Sequence, residues 1–520
     1  MMKYRLGIDV GGTNTDGVLL DRNMNVIQSL KTPTTNDVET GIYNTINQLI
    51  QNSDVEIQNI EYAMLGTTQC TNAIVERKRL NKIAVIRIGA PAGLAIKPLT
   101  GVPDDLRAIL DNHTHLVEGG HEFNGQQISA LNEDKIREIS GTLKGKVDSI
   151  AVTSIFSPVN KDHENRAAEI LNEVMGEDVA ISLSSEVGSI GLLERENATI
   201  LNASIINVAK ATAEGFENAL KNNGANAKIF FCQNDGTLMS KDYTLKYPIL
   251  TVACGPTNSL RGASFLTNNK DAIIVDVGGT TTDIGVLVKG FPRQSSIAVD
   301  LGGVRTNFRM PDINSIGLGG GTVIRLNENE FSIGPDSVGH KIHDEAMIFG
   351  GNTLTATDVA VGLGKVTLGD PEKVNHLDKE LLSKVYKRMV EMVEEAVDKI
   401  KTSSNDIPVI LVGGGSILLP ANIEGATKVF QPENGGVANA IGSAISQISG
   451  EIEKIFAINK ENRQEVLNNA KELAINEAIE AGADSKKIEI VDLEDIPLAY
   501  LPGDATRVKV KAAGDLAVNS

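Results

Sequence analysis

At 520 residues and 41% apolar content, the chain is long enough for roughly two to four domains with sizeable cores. Its 49 Lys and Arg against 67 Asp and Glu leave a net charge of -18, which disfavours nucleic acid and anionic membranes as partners. Cys70, Cys232 and Cys254 are odd in number and far apart, which argues against a disulfide framework or a cysteine-ligated metal centre and for a reducing, cytoplasmic address.

There is no Trp and only 4% aromatic content, so the cores must be built from Ile, Val, Leu and Ala, as in parallel α/β sheets. The N-terminus runs into a strand without the apolar region of a signal peptide, and no apolar run approaches membrane-spanning length.

The first apolar run, from Tyr4, leads into Asp9-Val10-Gly11-Gly12-Thr13-Asn14-Thr15-Asp16 and a second apolar run to Leu20. That pattern predicts a β-hairpin with a glycine tip. Glycines permit positive φ and remove side-chain bulk, so backbone N–H groups can converge on an anion while Thr and Asn add donors. A leading Asp suits a Mg²⁺ ion or a base that orients a nucleophile. One such hairpin alone is equally readable as ordinary turn chemistry.

Residues 40–51 have helical spacing, and Glu61 to Leu65 reads as a buried strand. Thr67, Thr68 and Asn72 follow at a strand end and helix N-terminus, where they serve either as caps or as ligand donors. A strand over 82–88 precedes a less regular, proline-punctuated stretch of about 90–147. It carries His113, His115 and His121, either satisfied histidines or an incomplete metal set. Strands at 149–155 and 180–184 flank a helix at 161–175. A long helical run then spans 191–222, its first turn holding Glu194, Arg195, Glu196 and Asn197; these are either dipole-stabilising charges or site residues.

Cys254, in a strand-to-helix joint at 251–259, reads as a small buried residue, since no base adjoins it in sequence. Then the first motif returns: Asp276-Val277-Gly278-Gly279-Thr280-Thr281-Thr282-Asp283 differs from it at one position in eight. Two near-identical copies make ordinary turns a poor explanation. Glycine-rich turns follow at Gly319 to Thr322 and, after a charged helix over 379–402, at Gly413, Gly414 and Gly415. The latter is a place for a flat base or ribose to lie on bare backbone. A small-residue helix over 435–448 and a Lys/Glu-rich tail with strands at 488–491 and 507–511 complete the chain.

Two Asp-Gly-Gly-Thr hairpins, a triple-glycine turn and a small-residue helix resemble the actin, sugar-kinase and heat-shock-70 superfamily. Within it the chain is most similar to the hydantoinase A / 5-oxoprolinase family. The matching pieces are Gly11 to Asp16, Gly66-Thr67-Thr68 with Thr71-Asn72-Ala73, Glu196 to Asn202, Gly255-Pro256, Asp276 to Asp283, Gly319 to Thr322, 334–337 and Thr355 to Asp358. Leu65 and Cys254 stand where family members often carry His and Ser.

The resemblance implies an α/β fold of two ribonuclease-H-like lobes with an ATP cleft between them. Residues 1–265 would form the first lobe with an irregular insertion at about 90–147, residues 266–436 the second, and residues 437–520 a connecting helix and small C-terminal appendix. It also implies ATP-dependent hydrolysis of a cyclic amide. Gly11, Gly12, Thr13, Asn14, Thr15, Gly278, Gly279, Thr280 and Thr281 would cradle phosphates, and Gly413 to Gly415 would receive adenosine. Asp9, Asp276 and Asp283 would be catalytic, with Asp9 and Asp276 holding Mg²⁺. Thr67, Thr68, Asn72, Glu196 and Asn197 would lie on the substrate side. A second hydantoinase or hydrolase subunit, or a homo-oligomer, is the implied partner. A small-molecule kinase of this fold and a non-catalytic, ATP-gated activator are the competing readings.

Overall fold

The computed structural model describes residues 3–35, 37–110, 113–176, 178–295, 299–308, 310–327, 330–498 and 503–517. Its first strand, Tyr4–Val10, ends in five buried residues and pairs antiparallel with Asn14–Leu20, which pairs in turn with Val26–Pro33. The chain crosses over through the helix Val38–Gln51, capped by the Asp37 side chain on Thr40 N, and returns parallel to the first strand as Ile60–Thr67. Lys228–Cys232 adds a fifth, parallel strand.

The same order recurs in the second half. Ala272–Val277 pairs antiparallel with Thr282–Val288, and Ile313–Ile316 lies against Thr282–Val288. Ile407–Val412 and Ala426–Phe430 then extend the sheet in parallel. A meander of three strands followed by parallel additions, made twice, is the pair of ribonuclease-H-like lobes expected for an actin, sugar-kinase and heat-shock-70 type of fold.

Both faces of the central strands of the first sheet are covered, and Tyr4–Val10, Asn14–Leu20 and Ile60–Thr67 are accordingly buried over most of their length, unlike the edge strand Val26–Pro33. Gly7 and Gly17 make room for the covering helices. A β-carbon on Gly7 would come within 2.3 Å of Ala440 O in the helix Ala438–Ile445, and one on Gly17 within 2.7 Å of Thr45 on the opposite face.

The insertion is more regular than expected. Between the fourth and fifth strands of the first lobe, Thr114–Glu118, Ile83–Ala90, Ser149–Ser154 and Ala180–Leu183 form a parallel four-stranded sheet in that order. Its own core packs under the helices Glu133–Leu143 and Asp162–Met175. The prolines at 91, 98 and 103 lie in its loops, and its edge strand carries the polar Thr114 and His115, so neither announces a sheet.

The expected long helix is two, Leu192–Ser204 and Ile206–Asn222, separated at Ile205. The C-terminal appendix continues the first lobe's sheet. Leu238–Ser240 pairs with Ile448–Ala457, which pairs with Ala505–Leu516 and then Ala483–Pro497, giving nine strands. These last strands are longer than the sequence suggested, and Lys509 and Lys511 within the expected basic strand are both buried. Lys511 is ion-paired to Asp235 at 2.8 Å and Lys509 to Asp492 at 3.4 Å.

A candidate site between the two hairpins

The two motif hairpins fold alike. Gly11 N donates to Asn14 O at 3.0 Å, and Gly278 N to Thr281 O at 2.9 Å. The registers match as well: Asp9 pairs with Asp16 and Asp276 with Asp283. None of the four tip glycines adopts a positive φ, so what they supply is open space. A β-carbon on Gly12 would have no neighbour within 4 Å, and one on Gly279 would lie 3.6 Å from the side chain of Thr13. The tips therefore face each other across the gap between lobes. Thr13 and Asn14 are half-buried there and Thr280 and Thr281 exposed, whereas Thr15 is fully buried beside Thr34 and turned into the lobe.

Each hairpin has a backbone support that sequence reasoning did not assign. Thr34 holds the first, donating through Oγ1 to Gly11 O at 2.8 Å and through N to Thr13 O at 3.0 Å. The run Gly319–Gly321 holds the second, with Gly320 N on Gly278 O at 3.0 Å and Gly321 N on Gly279 O at 2.7 Å. A β-carbon on Gly319 would meet the backbone of Gly279 and Thr280 at 2.7 Å, so this stretch buttresses the hairpin from behind.

The carboxylates come next. Asp9 is buried, and its oxygens accept from Asn258 Nδ2 at 3.1 Å and Asn439 Nδ2 at 2.9 Å. Burial raises it to about 6, with neighbouring Asp16 adding to the rise and the two amides working against it. Asp276 is half-buried and likewise raised to about 6 by desolvation, with an opposing hydrogen bond from Ser259. Asp283 is raised by burial and accepts from Ser315 Oγ at 2.5 Å. Asp16, buried and also raised by desolvation, is ion-paired to Lys31 at 2.6 Å. Asn258, Ser259 and Asn439 reach the site on helices far apart in sequence, and their only sequence signal is a polar side chain among small apolar ones.

Gly413 is indispensable to this geometry. It sits at φ +84°, and a β-carbon on it would come within 2.2 Å of Asp276 Oδ1. Gly415 donates to Val277 O at 2.8 Å and is packed on the second hairpin. Gly414 is the open one: a β-carbon there would meet only Lys31 Cε, at 4.0 Å.

On the expected substrate side, Thr68 stands at the N-cap of the helix Gln69–Glu76 without capping it through its side chain. Thr68 Oγ1 donates instead to Val10 O at 3.4 Å and accepts from Asn72 Nδ2 at 3.3 Å, joining this turn to the first hairpin. Thr67 is buried, and its carbonyl accepts from Cys254 Sγ at 3.4 Å. Burial pushes the Cys254 thiol up to about 12, which removes it as a nucleophile.

Glu196 is engaged inside the protein. It is fully buried and clamped to Arg87, Nε to Oε2 at 2.6 Å and the second guanidinium nitrogen to Oε1 at 2.5 Å, so both oxygens serve an internal ion pair. Asn197 donates to Arg305 O at 3.0 Å, tying the helix Leu192–Ser204 to the strand Val304–Thr306. His121 stacks on His163 with ring centroids 4.3 Å apart, and among the described residues no three His, Cys, Asp or Glu side chains group to hold a metal.

Two glycine hairpins, each headed by a carboxylate, thus face each other across the gap between two lobes of the actin-like kind. The profile of the hydantoinase/oxoprolinase N-terminal region matches residues 5–175, and that of hydantoinase/oxoprolinase matches residues 195–370; the chain belongs to this family. It is 26% identical to the caprolactamase subunit alpha of Pseudomonas jessenii over 71% of this chain and 55% of that protein. It is 24% identical to the acetone carboxylase beta subunit of Xanthobacter autotrophicus over 69% of this chain and 54% of that protein. The chain thus spans little more than half the length of these curated relatives. The crystal structure of the ATP-dependent caprolactamase from Pseudomonas jessenii superposes with a TM-score of 0.79 over 99% of this chain and 88% of that one, at 19% identity, a likeness of fold.

Proposed function

We propose that this chain is the ATP-using subunit of an amidohydrolase that opens a cyclic amide, namely a hydantoin, a lactam or 5-oxoproline. The observation that carries the reading is the facing pair of hairpins, each headed by a carboxylate raised to about 6, in a member of the hydantoinase/oxoprolinase family. Relatives named as a caprolactamase subunit and as 5-oxoprolinases support it.

An amide carbonyl is a poor electrophile. Transfer of the γ-phosphoryl group to its oxygen breaks the bond to the β-phosphate, which leaves as ADP with the electron pair, and turns the amide oxygen into a leaving group. Water then adds to the activated carbon, and the adduct expels the protonated ring nitrogen, so that the C–N bond breaks and the ring opens as an acyl phosphate; a second water then releases phosphate and leaves the carboxylate. Gly12, Thr13 and Asn14 would face the phosphates from one side and Gly279, Thr280 and Thr281 from the other, with Gly414 on the adenosine side. Asp9, held by two amides, would orient the attacking oxygen, and Asp276 and Asp283 would act opposite it.

Asp276 has the Asp283 carboxylate and the Ser259 hydroxyl beside it, oxygen donors that suit Mg²⁺: that ion is usually held by one or two carboxylates together with substrate phosphates. Asp276, with Asp9 across the cleft, would hold it, and its charge would offset that of the phosphates. Three relatives are named as subunits of larger enzymes, which supports a hetero-oligomer with a second, hydrolase-like subunit.

Phosphate release from ATP tests this reading, measured with hydantoins, lactams and 5-oxoproline, with and without the companion subunit, while ring opening is followed. Substrate-dependent ADP formation coupled to ring opening is expected. Asp276→Ala should abolish it in a protein that keeps its melting transition, and near-normal turnover in that variant would remove the site assignment. A second reading rests on the carboxylase relatives: the phosphoryl acceptor is the oxygen of a ketone. ADP formation with a ketone and bicarbonate, and none with any cyclic amide, would decide for it.

A further inference from the structure

The cross-strand registers lay three side chains in a row in each lobe. In the first lobe Asp9 pairs with Asp16, and Asp16 with Lys31. In the second, Asp276 pairs with Asp283, and Asp283 with Ser315. The hairpins are near-identical in sequence, yet the third member of the row is a cation in one lobe and a neutral hydroxyl in the other. The two halves of the cleft therefore differ by one positive charge at equivalent places.

Lys31 is not a surface lysine that happens to lie nearby. Its ammonium sits 2.6 Å from Asp16 Oδ1 and 2.8 Å from Oδ2, while its side chain remains one-third exposed. Its Cε is what a β-carbon on Gly414 would meet, in the turn on the far wall. The ammonium is felt by carboxylates of both lobes, Asp9 and Asp16 on one side and Asp276 on the other. Lys31 thus projects from the third strand of the first lobe into the space between the hairpins. One N–H of the ammonium donates to Asp16 Oδ2, and an ammonium carries three.

We propose that Lys31 binds the terminal phosphate of ATP from the first lobe, so that the cleft is polarised: the phosphate's negative charge is met by Lys31 on one side, and the Asp276–Asp283–Ser315 row, which carries no cation, faces it from the other. The inference rests on the ATP reading above. Asp16 fixes the lysine's direction, since a buried carboxylate beside an ammonium holds it more firmly than a solvated one would. The competing role for Lys31 is that it does no more than neutralise the buried Asp16.

Calorimetric titration of the full chain with ATP, ADP and AMP separates the two. Lys31→Ser copies the second lobe's row, and the double variant Asp16→Asn/Lys31→Ser removes the buried anion along with its counter-charge. Loss of one charge-assisted contact to the terminal phosphate predicts roughly tenfold or greater weakening for ATP, with ADP and AMP changed much less. That selective loss should persist in the double variant, while Lys31→Arg retains most of the ATP preference. A double variant with the wild-type ratio of ATP to ADP affinity would overturn the proposal and leave Lys31 as Asp16's counter-ion. If Lys31→Ser alone does not fold, the double variant carries the test. A wild-type chain that binds no nucleotide would remove the ATP reading itself, and this inference with it, whereas an unchanged ratio in the variants removes the inference alone.

Discussion

Gly66 and Asp9 are cross-strand neighbours in the parallel pair of the first lobe, and a β-carbon on Gly66 would lie 2.1 Å from Asp9 Oδ1. The same carbon would be 2.5 Å from Asn258 Nδ2, so it would occupy the place where the carboxylate and its amide donor meet. Gly66→Ala is therefore expected to push Asp9 out of its position at the head of the hairpin. A displacement near 1 Å at a reacting group can reduce turnover about a hundredfold. ATP turnover measured beside the melting temperature checks this: a large loss of rate with a modest shift in stability is expected, and unchanged turnover would show that Asp9 is not positioned by this contact.

Asp9 also makes the cleft a place where function opposes stability. Its folded-state value of about 6 lies above the ordinary carboxylate range, so between about pH 4 and pH 6 the folded chain holds more protons than the unfolded one. Stability from this group is intact below about pH 4 and falls as pH rises through 6, and Asp276 contributes in the same direction. Asp9→Asn removes that penalty and should raise stability at pH 7.5 by on the order of 2–3 kcal/mol, with no gain at pH 4. Asn258 Oδ1, buried without a partner, is available to accept from the new amide once its own amide turns. Turnover should be lost, since the substituted group no longer carries a negative charge. Urea unfolding at the two pH values checks it; a gain of equal size at both would mean that the carboxylate's ionisation is not the cause.

What was legible in the sequence was local. The hairpins were readable because their turn chemistry lies within eight residues and is stated twice, and the three-glycine turn because a strand runs directly into it. The rows were not, because Lys31 and Ser315 join them only through strand register, a property of pairs of strands. Asn258 and Asn439 arrive on helices 181 positions apart in the chain. Glu194 to Asn197 read either as dipole-stabilising charges or as site residues, and what the sequence did not show is that Glu196 pairs with Arg87, a partner 109 positions away that no local pattern connects to it.

That ion pair makes a prediction of its own. Arg87 and Glu196 are both fully buried, so Glu196→Ala would leave a guanidinium without its counter-charge. Breaking such a pair from one side typically costs about 3–5 kcal/mol, whereas replacing both partners by apolar groups costs far less. Glu196→Ala should therefore be strongly destabilised and Arg87→Met/Glu196→Leu largely recovered, with nucleotide affinity unchanged in each folded variant. A Glu196→Ala protein of normal stability that loses substrate-dependent turnover would instead return Glu196 to the substrate side.

The helices Cys254–Thr267 and Ala438–Ile445, which deliver Asn258 and Asn439 to Asp9, cross with their backbones in contact. A β-carbon on Gly442 would lie 1.8 Å from Asn258 O, and one on Gly262 would lie 1.9 Å from Ala438 O. Neither backbone can yield without moving an amide that holds the carboxylate. Gly442→Ala gains up to about 1 kcal/mol of helix propensity, but forced separation of a packed crossing costs roughly 1–3 kcal/mol or more, so the substitution should be net destabilising and should lower turnover together with stability. Gly141, on an exposed face of the helix Glu133–Leu143, has nothing within 4 Å of the same added carbon. There the propensity term acts alone, and Gly141→Ala should stabilise by about 0.5–1 kcal/mol with turnover unchanged. Urea midpoints of the two variants measured side by side should move in opposite directions. If both move upward, the close crossing is not what holds Asn258 and Asn439 against Asp9.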